Sequence, residues 1–147
     1  MGLSFQEKSL WLMFVSLVGC FGFYFVNVLR AQPSVEEMVP TLAADVMPHQ
    51  AALFLVATAL LVACQIVGHL LIVLVDRRVE TDERDRLIAL KGTRNASYVL
   101  ATGAFCTLST AMVTNGNFAC AHVLLGFWVL AQLVEIGTQL VLYRRGA

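Results

Sequence analysis

The chain has 147 residues, 59% of them hydrophobic and only 14% charged, with a mean hydropathy of +0.76 and no net charge. A soluble domain carries about a quarter charged residues, so this composition excludes a soluble enzyme, a secreted disulfide scaffold and a disordered tail. Ten basic side chains against ten acidic ones leave no electrostatic footprint for nucleic acid.

The charges fall in blocks. Residues 9–29, 46–75 and 95–134 contain no Asp, Glu, Lys or Arg, and these gaps hold 21, 30 and 40 residues. One membrane crossing needs about 20 residues, so the pattern predicts four spans, the last gap being a double one. The expected fold is an all-α, four-helix membrane bundle forming a single domain over 1–147.

Span one is expected over about 9–29, with an aromatic outer half (Phe21, Phe23, Tyr24, Phe25). It is longer than the roughly 7–15-residue apolar core of a signal peptide and no Ala-x-Ala site follows it, so it reads as a retained span. An outer loop, 31–48, is broken by Pro33, Pro40 and Pro48. Within it Ser34 can cap a short interfacial helix over 35–42, with Glu36 and Glu37 in its first turn. Span two is expected over 49–75, starting beside Pro48, a residue favoured at helix starts.

The 76–94 segment is the most polar in the chain, and its 76–86 stretch mixes acids and bases without a positive excess. Thr81 is the expected N-cap of a third helix. Asp82 and Arg86 would form an i,i+4 pair, with Leu87 and Leu90 on one face. That helix should run unbroken into span three, 95–113, for a length of roughly 48 Å. Asn115-Gly116 marks a tight turn, and span four, 118–143, ends at Tyr143 and Arg144-Arg145.

Nine of the ten basic residues lie at Lys8, in 76–94 or at the C-terminal end; Arg30 is the exception. Short Lys/Arg-rich loops stay in the cytoplasm, so both termini and 76–94 are expected inside and the 31–48 loop outside. Asn95-Ala96-Ser97 matches a glycosylation sequon, but this topology puts it on the cytoplasmic side.

Within the spans Glu135 stands out, nine residues before Arg144 and so about 13 Å in. A carboxylate at such depth is a functional candidate by default. Gln132 and Gln139 share its helical face, and span two carries a similar stripe of Gln65 and His69, about 10 Å in. Both spans run inward, so the stripes are expected at matching depths, either as a proton or ion site or as mutually satisfied core polar groups.

Other patterns are weaker. His49, His122 and Cys120 near the outer side have donor atoms for haem or a metal, but no Cys-x-x-Cys or same-face second ligand accompanies them. The cysteines (Cys20, Cys64, Cys106, Cys120) are scattered, which argues against a thiol oxidoreductase. Gly103, Thr107 and Ala111 on span three, and Gly19 and Gly22 on span one, form small-residue ridges that allow close helix packing or a homo-oligomer seam.

The run Asp82-Glu83-Arg84-Asp85-Arg86-Leu87-Ile88, followed by Arg94-Asn95-Ala96 and a span, resembles small bacterial four-span inner-membrane proteins of unknown function. The resemblance covers the second half of the chain. It implies a multi-pass protein of the bacterial inner membrane and carries no activity, cofactor or catalytic residue.

The leading expectation is a non-enzymatic interaction or regulatory protein that uses Asp82, Glu83, Arg84, Asp85 and Arg86 as a surface for a cytoplasmic or membrane partner. The alternative is a proton- or cation-coupled carrier built on Glu135 and His69. A haem or metal protein at the outer face, using His49 and His122, comes third.

Overall fold

A computed structural model describes residues 5–30, 45–75, 82–114 and 116–145. They form four helices: α1 (Phe5–Arg30), α2 (Pro48–Val75), α3 (Glu83–Val113) and α4 (Phe118–Arg145). Each is long and apolar enough to cross a membrane. The helix expected over 35–42, Thr81 with the first part of the charged segment, and Asn115 of the turn lie outside the described residues.

Two helix starts show why the chain folds where it does. At α2 the first-turn amides of Gln50 and Ala51 donate to the Met47 carbonyl, and Gln50 Oε1 accepts the Met47 amide at 3.1 Å. Gln three residues after the cap is half of a capping box, and Pro48 fills the position whose missing N–H costs nothing. At α3 the cap is Asp82, one residue later than expected at Thr81. Its carboxylate accepts the Glu83 amide at 2.7 Å, and Asp85 Oδ2 reaches back to the Asp82 amide at 3.2 Å. Asp82 is therefore committed to the backbone instead of to Arg86. Beyond this cap α3 runs unbroken for 31 residues, about 46 Å.

The helices pack in the order α2–α1–α4–α3. Hairpins α1/α2 and α3/α4 are joined through α1 and α4, and no substantial packing ties α2 to α3 or α4. The bundle is consequently open along one side instead of closed around a shared axis. Its buried centre belongs to α1 and α4, with Leu17, Phe21 and Tyr24 meeting Val129 and Ile136, and α2 adding Ala57. Phe21, 2% exposed, has ring neighbours in Phe54 and Trp128 at 6.3 and 5.6 Å.

Close approach is concentrated in two places. On α3 the buried positions Ile88, Gly92, Ala96 and Gly103 face α4. A Cβ at Gly103 would run into the Phe127 ring, and one at Gly92 would lie 2.8 Å from Gln139 Cγ. On α2 a Cβ at Gly68 would meet the Leu12 side chain. The expected ridge on span three is thus used at Gly103 and extended toward Gly92, whereas Ala111 is exposed. Gly19 and Gly22 of α1 face open space.

Candidate functional site

Polar side chains toward the start of α1 and the end of α4 form two separate clusters. Between α1 and α2, His69 Nδ1 lies 2.9 Å from the Gln65 carbonyl. A carbonyl only accepts, so Nδ1 carries the proton and Nε2 is the acceptor, which Ser9 Oγ meets at 2.7 Å. Gln65 Nε2 donates to Ser16 Oγ at 2.7 Å, and Ser16 passes its own proton to the Leu12 carbonyl. Gln65 Oε1 is buried without a partner.

The second cluster lies between α3 and α4. Glu135 Oε1 accepts Thr93 Oγ1 at 2.8 Å and Gln139 Nε2 at 3.5 Å. Asn95 Nδ2 donates to Thr138 Oγ1 at 3.3 Å. One further step down, Tyr143 OH donates to Asp85 Oδ1 at 2.8 Å. Asp85 therefore does two things at once, closing the α3 cap with one oxygen and fixing α3 to the end of α4 with the other. Gln132 is half-buried on α4 and belongs to neither set.

The structure does not bring Glu135 and His69 together. His69 is held by Ser9, two residues from Trp11, and Trp11 lies 6.0 Å from the Arg144 guanidinium. His69 belongs to the α1–α2 cluster and Glu135 to the α3–α4 cluster, and among the described residues no hydrogen bond joins the two. Glu135 shares its level with Thr93, flanked on α3 by the exposed Lys91 and Arg94.

The charged run is also sorted by the fold. Asp82 and Asp85 turn to the helix start and to Tyr143, while Arg86, Lys91 and Arg94 are exposed. Leu87 and Leu90 lie among them, 59% and 67% exposed. A sequence with mixed charge becomes a helix whose outer face is mainly basic and leucine-studded. Of the residues singled out from the sequence, Asp82, Glu83, Arg84 and Arg86 are exposed there; Leu87, Leu90, Lys91 and Arg94 complete the face. The signal for them was the Asp-x-x-Asp spacing, which marks a cap and ties both acids into the helix start.

At the other end, both His122 nitrogens are engaged. Nδ1 donates to the Phe118 carbonyl at 2.8 Å, and Nε2 accepts Tyr24 OH at 3.0 Å, with the two rings nearly parallel. Cys120 Sγ faces the Thr114 hydroxyl at 3.9 Å, and His49 is exposed in the first turn of α2. Among the described residues no three His, Cys, Asp or Glu side chains converge as a metal site would require. No protein-family model, curated protein or solved structure matches this chain.

Proposed function

We propose that the chain is a non-enzymatic, multi-pass protein of the bacterial inner membrane, with both ends and the 76–94 segment in the cytoplasm. In this reading the inner third of α3 is a docking face for an acidic cytoplasmic protein. The observation that carries it is the exposed set Arg86, Leu87, Leu90, Lys91 and Arg94 on a helix fixed by its cap and by Asp85–Tyr143. A pre-ordered helix loses little conformational freedom on association. Leucines supply apolar area, and the basic groups steer an acidic partner.

The test is co-purification from native membranes with the Arg86→Glu/Arg94→Glu double variant. Neither side chain is buried, so membrane insertion and thermal stability should hold, while recovery of a bound protein falls about tenfold or more. Undiminished recovery with the reversed charges overturns the docking face. A bystander role for these residues as interfacial anchors predicts that outcome.

A further inference from the structure

The outer half of the molecule holds a slot of about 650 Å³ between α1, α2 and α4, with Leu100 of α3 at its far wall. Ligand sites run from roughly 300 to 1,000 Å³ and are mostly apolar with a few placed polar groups. Here four polar side chains reach the lining, and each is turned to a partner within the protein. Tyr24 OH donates to His122, His122 to the Phe118 carbonyl, and Thr58 Oγ1 to the Phe54 carbonyl, while Gln50 Oε1 accepts the Met47 amide. What remains for a guest is hydrocarbon and ring surface: Phe21, Phe54, Leu61, Leu125 and Trp128.

Shape and access narrow the occupant. Along α2 the lining runs from Gln50 to Leu61, eleven residues or about 16 Å. One leaflet of a roughly 30 Å hydrocarbon core is about 15 Å deep. The slot also lies where α2 has no substantial packing against α4, so its long side is open laterally. At its outer end Val46 leads directly into a polar clasp: the Val46 amide donates to Asn117 Oδ1 at 2.7 Å, and the Asn117 amide to Asp45 Oδ1 at 3.2 Å.

We propose that this slot binds one acyl chain of a membrane phospholipid, entering sideways between α2 and α4, with its headgroup level with the Asp45–Asn117 clasp. A polar or charged small molecule would find a wall that is almost entirely apolar. The proposal rests on the membrane reading above and is independent of the α3 docking face.

The chain contains two tryptophans, so Trp11→Phe leaves Trp128, in the slot wall, as the sole reporter. The protein is placed in phosphatidylcholine vesicles containing a rising fraction of phosphatidylcholine brominated midway along one chain. Bromine quenches tryptophan on contact, and since plain and brominated phosphatidylcholine compete equally for the slot, a bound chain should quench Trp128 strongly and in proportion to the brominated fraction. Ala51→Phe and Ala121→Phe, two fillings of the slot from different helices, should each cause a loss of the quenching reached in fully brominated vesicles. Leu55→Phe adds bulk on α2 outside the slot and should keep the parent curve.

Quenching of equal extent in all variants would show only surrounding lipid, and overturns the site. So does quenching by a brominated free fatty acid and not by the phospholipid, or an unquenched Trp128, the result expected if the chain's own 31–44 segment fills the slot. Flotation of the protein with the vesicles tests the membrane reading by itself, so failure of one idea is not mistaken for failure of the other.

Discussion

Glu135 shows how much a single residue's meaning depends on what surrounds it. A lone carboxylate between apolar stretches is costly and draws a functional reading. In the fold it accepts hydrogen bonds from Thr93 and Gln139 and lies level with Lys91 and Arg94. Its need is for two donors, and an amide oxygen accepts from them as well. Glu135→Gln should therefore change thermal stability in detergent by less than about 1 kcal/mol, within the net worth of one hydrogen bond. Proton uptake into vesicles should match the parent as well. A loss of pH-driven uptake in that variant, at unchanged stability, would favour the carrier reading.

At the scale of the element, the glycines divide into those that set a distance and those that do not. Gly103 and Gly92 let α3 approach α4 so closely that an added Cβ meets Phe127 or Gln139. Gly19 and Gly22 meet nothing within 4 Å. Gly103→Val should cost about 1–3 kcal/mol by overpacking, read as a lowered unfolding midpoint, whereas Gly19→Ala should be neutral or slightly stabilising. Equal effects at the two sites would mean that α3/α4 contact is not what holds the second hairpin.

The existence and limits of these helices were legible in the sequence because crossing length is a property of each segment alone. Charge gaps and Pro48 placed α2, α3 and α4 within one or two residues. The order of packing was not legible. Helices apolar on every side carry no stripe that names a neighbour, so a ridge of glycines could be seen but not assigned. For the charged run the composition was plain, but which side chains face outward depended on a cap geometry that separates Asp82 and Asp85 from Arg86.

On the scale of the whole molecule the two edges of the row are unlike. The α2 edge is apolar to its last residue, with Leu70, Leu74 and Val75 exposed, while the inner third of α3 at the opposite edge is basic. A bilayer meeting both edges would favour burying the first and wetting the second, as the proposed cytoplasmic placement of 76–94 requires. Reporter enzymes fused after Gly116 should then score as external and those after Ala147 as cytoplasmic. A cytoplasmic score after Gly116 would invert the membrane orientation and remove the α3 face from any cytosolic partner.

The linear order α2–α1–α4–α3 also bears on how the chain is assembled as it is made. Most of its helix packing joins neighbours in sequence, α1 with α2 and α3 with α4, and such local pairs close quickly. The first hairpin can be complete while the second is still on the ribosome. The α1–α4 seam, where Tyr24 meets His122 across 98 positions of chain, has to wait for α4. Until it does, the buried face of α1 is not covered by α4, and the docking of the two hairpins comes late.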